Sequence, residues 1–547
     1  MVVLQKTVGQ IVKEQAAQNP ETEAYVYPEH GIRKTYKEFD EETDLLAKAF
    51  IGIGIEKGEH VAIWSDNKRE WLLSQFATGK MGGVLVTVNT SYQSSELEYL
   101  LEQSDATTLI VGEEFKGTSY IDILNKICPE LKTADKGHIT NAKLPHFKRV
   151  IVMSNNKYPG IYTWQEFKAF AKKVSDSELE ERFHSMDPDD VINIQYTSGT
   201  TGFPKGVMLT HLNVVNNGKL VGDTMSLTEN DRLCIPVPFF HCFGCVLGTM
   251  AAVTHSTTMV IAEQFEAKRV LQMVQDEKCT GLHGVPTMFI AELNHPEFSS
   301  FDTSTLRTGI MAGSSCPIEV MKKVITDMGA SEITIAYGQT ESSPVITQTR
   351  ADDDIEKRVS TVGKPHTGVE VKIIDPATGE GVVTGMPGEL CTRGYHVMKG
   401  YYNNEEATKV AIDREGWLHT GDIAVEDEAG YIAITGRIKD MVIRGGENIY
   451  PREIEEFLYQ HPAIQDVQVV GVPDPKYGEE LMAWVILKED EQLTVAELKT
   501  YCKDKISHHK IPRYIEFTKE YPMTASGKIQ KFKLRELSIL NSQKAEV

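Results

Sequence analysis

The sequence predicts an α/β protein with a large N-terminal body of parallel-rich sheets and helices, a small β unit, and a mobile C-terminal α+β lid domain. Three observations predict this. The first half of the chain alternates strand and helix patterns, which indicates parallel sheet. Residues 363–435 are rich in Gly and Pro between short strand runs. A compact α+β pattern follows the charged segment 436–440.

The elements of the first half follow from apolar periodicity. Residues 69–80 carry apolar side chains at helical spacing, and residues 95–98 predict a capping box ahead of a second helix. Short apolar runs predict buried strands at residues 60–65, 84–89, 107–111, 149–153 and 192–196.

The later elements are shorter. Residues 369–374 and 388–392 predict strands of the small β unit. Beyond it, Pro451 predicts the start of a helix over 452–460. Two strands, at 467–472 and 482–487, and a helix at 495–506 complete a unit of a size that can fold alone.

Composition excludes several classes of protein. A formal net charge of −21 argues against a nucleic-acid partner and against tight binding to an anionic membrane. The sequence contains no run of 18 apolar residues, so we predict no integral membrane span. Peripheral contact with a membrane remains an alternative. The N-terminus has neither a secretory nor a transit pattern, and eight cysteines are too sparse for a disulfide framework, so we expect a cytoplasmic protein.

The segment that follows the strand at 192–196 predicts a phosphate site. Glycines let the backbone approach an anion, hydroxyls donate to phosphate oxygens or bind Mg²⁺, and a lysine adds charge. The spacing is not that of a Walker A loop, and the alternative is a Gly/Thr-rich surface turn. The segment comprises Thr197, Ser198, Gly199, Thr200, Thr201, Gly202, Phe203, Pro204, Lys205 and Gly206.

Residues 196–206 resemble the phosphate-binding signature of the adenylate-forming superfamily, which includes acyl-CoA synthetases, firefly luciferases and nonribosomal-peptide adenylation domains. Four further segments resemble the family's motifs in the family's order, so the resemblance spans essentially the whole chain. They are residues 337–341, 420–422, 436–440 and 522–528.

The resemblance implies activation of a medium- to long-chain fatty acid by ATP to an acyl-adenylate, and then transfer to coenzyme A. The sequence is most similar to bacterial medium-chain acyl-CoA ligases. ATP, Mg²⁺ and coenzyme A are the implied cofactors and co-substrates. The implied domains are an N-terminal AMP-binding domain at residues 1–438, which contains the β unit, and a C-terminal lid at residues 439–547.

The resemblance also implies the catalytic residues. Lys528 bridges the substrate carboxylate and the α-phosphate, and Thr340 contacts that phosphate. Glu341 binds Mg²⁺, as a hard carboxylate ligand can, and Thr201 is a second candidate ligand. A surface acid is the alternative interpretation of Glu341.

Nucleotide and coenzyme contacts are implied for a larger set. Asp422 accepts from the ribose hydroxyls, Arg437 steadies the ribose or phosphate side, and Lys439 is the hinge on which the lid swings. The adenine and phosphate side is implied for Gly313, Ser314, Ser315, Ala336, Tyr337, Gly338 and Gln339, although a plain turn is the alternative at residues 313–315. The second lid pose brings Arg444, Gly445, Gly446 and Glu447 to the site.

The segment around His241 matches the mouth of the family's acid pocket. Amino-acid-activating relatives carry an Asp there, so a histidine favours a plain carboxylic acid; a structural histidine is the alternative. The C-x-x-C at Cys242 and Cys245 has apolar flanks and predicts buried small side chains rather than a metal site.

Competing functions share the first step or lack it. A carrier-protein pantetheine, or oxygen as in a luciferase, could replace coenzyme A as the acceptor. An aryl acid could replace the fatty acid as the substrate. A non-catalytic nucleotide sensor would be expected to lose Glu341 or Lys528, and both are present. A protein-binding scaffold predicts none of the five motifs.

Overall fold

The computed structural model describes residues 3–197, 204–314, 316–445, 447–503, 505–524 and 527–545. Over these ranges the protein folds into two large mixed sheets with flanking helices, a four-stranded β unit, and a C-terminal α+β domain. The predicted fold class is confirmed.

The first large sheet has nine described strands in the order β18-β17-β16-β15-β14-β12-β13-β1-β2. Its centre is parallel, and its two edges are antiparallel. The strands are β1 (Glu23–Tyr27), β2 (Ile32–Thr35), β12 (Arg232–Ile235), β13 (Thr258–Ile261), β14 (Gly281–Gly284), β15 (Thr308–Met311), β16 (Glu332–Gly338), β17 (Val345–Gln348) and β18 (Lys364–Pro365).

The second large sheet has eight described strands in the order β21-β11-β10-β4-β3-β5-β8-β9. Its inner strands are buried on both faces, which is why they appear in the sequence as continuous apolar runs. The strands are β3 (His60–Trp64), β4 (Val84–Thr87), β5 (Thr108–Val111), β8 (Arg149–Val152), β9 (Tyr162–Thr163), β10 (Val191–Thr197), β11 (Lys205–Thr210) and β21 (Gly400–Tyr401). A short ribbon, β6 (Glu114–Phe115) and β7 (Thr118–Ser119), lies apart.

Helices pack on these sheets and enclose the core. The largest buried cluster joins side chains from both sheets and from the helices between them. The helices of this part are α1 (Val8–Gln18), α2 (Tyr36–Gly52), α3 (Arg69–Met81), α4 (Ser94–Gln103), α5 (Tyr120–Ile127), α6 (Trp164–Ala169), α7 (Asp176–His184), α8 (His211–Thr224), α9 (Thr249–Val253), α10 (Ala267–Asp276), α11 (Pro286–Leu293), α12 (Ile318–Thr326), α13 (Ile355–Ser360) and α14 (Glu405–Ala411).

The small β unit is an antiparallel sheet in the order β19-β20-β22-β23. Its strands are β19 (Val369–Ile374), β20 (Gly388–Gly394), β22 (Leu418–Glu426) and β23 (Ile432–Arg437).

The C-terminal domain has its own buried core between a sheet and its helices. Strands β26 and β27 form a long antiparallel pair, and β28 adds to β27 in parallel. The elements are β24 (Val442–Arg444), β25 (Glu447–Ile449), α15 (Pro451–Tyr459), β26 (Ile464–Asp474), β27 (Gly478–Leu487), α16 (Val495–Cys502), β28 (Tyr514–Phe517) and α17 (Lys531–Ala545).

Two local predictions are wrong. The capping box is not at residues 95–98, because α4 begins at Ser94 and the Glu96 carboxylate accepts from the Gln93 N–H at 2.9 Å. The helix predicted to reach residue 506 ends at Cys502, because Lys503 has extended backbone angles. Within the described ranges, none of the helices is long and apolar enough to cross a bilayer.

Candidate active site

The hairpin of β10 and β11 carries the predicted phosphate loop. Thr197 pairs with Lys205 and Tyr196 with Gly206, so the loop begins and ends at the same sheet edge. A Cβ at Gly206 would lie 2.9 Å from Cγ2 of Ile194, which explains a glycine there. Eight predicted site residues fall outside the described ranges: Ser198, Gly199, Thr200, Thr201, Gly202, Phe203, Ser315 and Gly446.

The second ATP-signature segment follows β16, which contains Ala336, Tyr337 and Gly338. The chain turns so sharply that a Cβ at Gly338 would lie 1.8 Å from the carbonyl oxygen of Pro344. The Gln339 N–H donates to Oγ of Ser342 at 3.0 Å and closes the turn. The turn therefore presents Thr340 and Glu341 at the carboxyl end of the strand, where open α/β sheets bind ligands.

Thr340 and Glu341 differ in burial and in the side chains that they contact. Thr340 is buried, with Oγ1 at 3.8 Å from Sγ of Cys242 on the acid-pocket segment. Glu341 is half-buried, and its Oε1 accepts from the hydroxyl of Tyr401 at 2.9 Å. The two residues link the predicted phosphate site with the predicted acid pocket.

Asp422 and Arg437 face each other on β22 and β23 of the β unit. Oδ1 of Asp422 lies 2.8 Å from Nε of Arg437, and Oδ2 accepts from the hydroxyl of Tyr337 at 2.7 Å. Burial raises the pKa of Tyr337 well above its usual value, and the Asp422 carboxylate adds to this shift, so the phenol keeps its proton as a donor. The structure thus joins three predicted nucleotide residues from three strands.

Glu389 of β20, which was not predicted from the sequence, anchors the part of β22 that leads to Asp422. Oε1 of Glu389 accepts from the Gly421 N–H at 3.1 Å, and Oε2 lies 3.1 Å from Nδ1 of His419. Cys391 pairs across the strands with His419, with Sγ at 3.5 Å from Nδ1. These contacts fix the backbone that leads to the ribose-side carboxylate.

The C-terminal domain places Lys528 in the same site. Its Nζ lies 3.3 Å from Nε2 of His241, a residue of the large N-terminal part. Burial lowers the pKa of the Lys528 ammonium; Arg437 adds to this decrease, while Glu341 and Asp422 oppose it. The charged groups at residues 341, 422 and 437 therefore all influence the pKa of this one amine.

His241 is a neutral imidazole in this setting. Burial holds its pKa well below the usual range, and the Lys528 charge lowers it further. Its Nδ1 accepts from the Phe243 N–H at 3.1 Å, which assigns the ring proton to Nε2. The protonated nitrogen therefore faces Nζ of Lys528.

The loop that carries Lys528 rests on the large domain. Oγ1 of Thr287, in α11, donates to the carbonyl oxygen of Gly527 at 3.1 Å. A Cβ at Gly313 would lie 3.3 Å from Cε of Lys528, and the φ of +93° at Gly313 favours glycine as well. Gly313 therefore leaves room for the lysine, and the described neighbour Ser314 continues the turn.

The acid-pocket segment continues from His241 into a π-helical turn at Phe243–Gly248. Such wide turns are rare and often occur at functional sites. Cys242 and Cys245 are buried and unpaired, and Sγ of Cys245 accepts from Nε2 of Gln195. The prediction of small buried side chains is confirmed at both cysteines.

The hinge and coenzyme candidates follow β23 in the chain. Lys439 is in the turn after β23, next to Arg437. The recorded contacts of Arg444 and Gly445 are within the C-terminal domain: Arg444 pairs with Glu480 at 2.7 Å, and the Gly445 N–H donates to the carbonyl of Tyr477. Glu447 pairs with Arg444 in the β24–β25 hairpin. None of these recorded contacts reaches Lys528 or His241.

Three residues complete the described site and were missed from the sequence: Tyr401, Glu389 and Thr287. Tyr401 stands in a Gly-Tyr-Tyr-Asn string and Glu389 in a Gly-Glu pair, which are ordinary turn and strand compositions. Their partners lie tens or hundreds of positions away, so periodicity gives no signal for them.

Comparisons with known proteins agree over the whole chain. The family described as AMP-binding enzyme matches residues 12–402, and its C-terminal domain matches residues 453–528. The putative acyl-CoA synthetase YngI of Bacillus subtilis (strain 168) is 60% identical over 539 residues, covering 98% of each chain. The mitochondrial medium-chain acyl-CoA ligase ACSF2 of Danio rerio is 44% identical, covering 97% of this chain and 88% of its own.

Solved structures share the fold. The anthranilate CoA ligase AuaEII, crystallised with anthranoyl-AMP, superposes with a TM-score of 0.86 at 27% identity and covers 99% of each chain.

Proposed function

The chain belongs to the AMP-binding enzyme family and is an AMP-forming acyl-CoA ligase, and we propose that it activates a medium-chain fatty acid to acyl-AMP and transfers the acyl group to coenzyme A. The carboxylate oxygen attacks the α-phosphorus of ATP and displaces diphosphate. The thiol of coenzyme A then attacks the acyl carbon, releases AMP and gives up its proton. Both relatives at 44–60% identity are named for acyl-CoA formation, which supports this choice of acceptor.

One observation carries the proposal: Nζ of Lys528 lies 3.3 Å from Nε2 of His241. The first residue ends a loop of the lid, and the second opens the predicted acid pocket. A protonated Nε2 and an ammonium are both donors, and a carboxylate oxygen can accept from both. This pair of donors suits a carboxylic acid better than it suits a substrate amine.

Lys528 is then the residue that brings the two anionic reactants together. We propose that its ammonium bridges the acid and the α-phosphate, offsets their repulsion and stabilises the charge that grows during attack. Because Gly313 has no side chain, Lys528 can extend past this turn into the site. Thr340, buried beside Cys242, is proposed to donate to the same phosphate.

Glu341 fits Mg²⁺. Tyr401 engages its Oε1, the carboxyl group is half-buried at the end of β16, and carboxylate oxygens are preferred ligands of this hard cation. Mg²⁺ bound there would neutralise triphosphate charge during displacement. Thr201, the second proposed ligand, is outside the described residues.

The nucleoside is proposed to bind across β16, β22 and β23. Asp422 would accept from the ribose hydroxyls, while Arg437 and Tyr337 keep its carboxylate oriented. Thr197, Pro204, Lys205 and Gly206 would frame the phosphates at the hairpin edge.

The second half-reaction is proposed to need a turn of the lid about Lys439. That motion would replace the Lys528 loop with the hairpin that contains Arg444, Gly445 and Glu447, and glycines there would let the pantetheine arm pass. A cytoplasmic compartment is proposed because the eight cysteines are all unpaired.

The test is a product analysis. The purified protein is incubated with ATP, Mg²⁺, coenzyme A and saturated fatty acids from four to eighteen carbons, and thioesters and AMP are identified by mass. We expect acyl-CoA and AMP in equal amounts, with the highest kcat/KM for acids of medium length. Absence of AMP with every acid would contradict the proposal.

An aryl acid is the second candidate substrate, because AuaEII shares the fold at a TM-score of 0.86. Benzoate and anthranilate therefore belong in the same assay, and a higher kcat/KM for them than for every fatty acid would favour this alternative. A carrier protein with a phosphopantetheine arm is tested as the acceptor in a parallel reaction without coenzyme A.

A further inference from the structure

Tyr401 lies between the two ATP-signature segments. It pairs with Val207 of β11, the strand that begins at Lys205, and its N–H donates to Oγ1 of Thr408 at 2.9 Å. The next residue, Tyr402, donates its N–H to the Gly206 carbonyl at 2.8 Å. The backbone on both sides of Tyr401 is therefore tied down, and its side chain is only 6% exposed.

The hydroxyl of Tyr401 holds Glu341. It donates to Oε1 at 2.9 Å, and the Glu341 carbonyl accepts from the Met398 N–H, also at 2.9 Å. A carboxylate fixed through one oxygen has a defined direction for the other.

The ring of Tyr401 holds Lys205. Nζ of Lys205 lies 4.3 Å from the ring centroid, within the range of a cation–π interaction. One side chain therefore contacts the lysine of the phosphate loop and the carboxylate of the second signature. The hydroxyl and the ring thus give these two charged groups separate partners on one side chain.

We propose that Tyr401 is a positioning residue for Mg-ATP, its hydroxyl aiming Glu341 at the metal and its ring keeping Lys205 available to the phosphates. The inference rests on the proposed function, because it takes Glu341 as the Mg²⁺ ligand. Mg²⁺ demands near-ideal octahedral geometry, so a partner that orients its carboxylate ligand matters for binding. Tyr401 itself would touch neither metal nor substrate.

Two variants separate the role of the Tyr401 hydroxyl from the role of its ring. Tyr401→Phe keeps the ring and removes the donor; Tyr401→Leu removes both. Binding of Mg-ATP and of metal-free ATP, in excess EDTA, is measured by calorimetry on the full-length protein. For Y401F we expect about tenfold weaker Mg-ATP binding with unchanged affinity for metal-free ATP, the scale typical of a lost partner of a metal ligand. Y401L should weaken both.

A matched control is next in the chain. The Tyr402 hydroxyl points elsewhere, to Oδ2 of Asp105 at 2.9 Å, so Tyr402→Phe should bind both forms of ATP as the wild type does. Thermal melting establishes that each variant is folded; if Y401L melts early, Tyr401→Met replaces it, because the flexible methionine side chain fills irregular space more readily.

The outcomes are distinct. Wild-type affinity of Y401F for Mg-ATP would overturn the role of the hydroxyl. Equal losses in Mg-ATP and metal-free ATP for Y401F would overturn the link to the metal. A wild-type protein that binds Mg-ATP but forms no acyl-AMP with any acid would defeat the proposed function and leave the binding comparison readable.

Discussion

Nζ of Lys528 and Nε2 of His241 lie 3.3 Å apart although 287 positions separate the two residues in the chain. The contact joins the predicted lid to the predicted mouth of the acid pocket. It places an ammonium whose pKa is lowered by burial against an imidazole whose pKa burial holds well below its usual range.

Removal of this amine should separate the two half-reactions. Lys528→Ala should reduce acyl-AMP formation by at least about 100-fold, because the positive charge acts on the transition state of adenylation. Formation of the thioester from supplied acyl-AMP should stay within about twofold of wild type if, as proposed, the lid removes Lys528 from the site in that step. Diphosphate exchange and acyl transfer measure the two steps, and Lys533→Ala, on the exposed part of α17, is a control. Equal losses in both steps would contradict the role.

The pH dependence of adenylation should reflect the same lysine. The pKa of Lys528 lies below its ordinary 10.5, so the charged form is lost as pH rises through the lowered value. We therefore expect kcat/KM for adenylation to fall on the alkaline side, with a midpoint below 10.5. His241 stays neutral near pH 7 because its pKa lies well below 6.5, so it should add no limb there. Lys528→Arg should move the alkaline limb upward, because arginine keeps its charge; a limb that does not move in K528R would assign it to another group.

The Glu389 anchor should matter for ATP more than for turnover. Glu389→Ala removes the acceptor of the Gly421 N–H and the partner of His419, which loosens the part of β22 that leads to Asp422. We expect KM for ATP to rise about tenfold with kcat within about threefold, as for loss of binding shared by ground and transition states. Glu389→Gln keeps an acceptor for Gly421 and should recover much of the affinity. Glu370→Ala on the exposed strand face is the control. An unchanged KM for ATP in E389A would remove the anchoring role.

The hinge prediction rests on the turn at Lys439. Lys439→Pro fixes φ in a segment that must change conformation if the lid swings. ATP–diphosphate exchange should remain within about threefold of wild type, because the described pose already holds Lys528 in the site, whereas transfer to coenzyme A should fall by about 100-fold or more. Lys439→Ala, which keeps the backbone free, should transfer normally. Intact transfer in K439P would argue against a hinge at this position.

The sequence by itself determined the fold class and most element positions. Short, nearly continuous apolar runs such as the one at residues 84–87 arise because the strands are buried on both faces, and burial leaves a pattern in neighbouring residues. Short motifs likewise predicted the phosphate loop and the roles of Glu341, Asp422 and Lys528. The two wrong predictions concern the start of α4 and the end of α16. The exact end of a helix depends on the backbone angles of a few residues, which the sequence pattern does not define.

Only the tertiary structure decided which of these residues meet. The hydrogen bond from Tyr401 to Glu341 and the contact of Lys528 with His241 arise where a strand edge, a sheet end and a separate domain come together. Such pairs depend on how whole elements pack, and hydrogen bonds reach only about 3 Å. The sequence thus named the groups that we propose do the chemistry, and packing supplied the neighbours that set their charge, tautomer and direction.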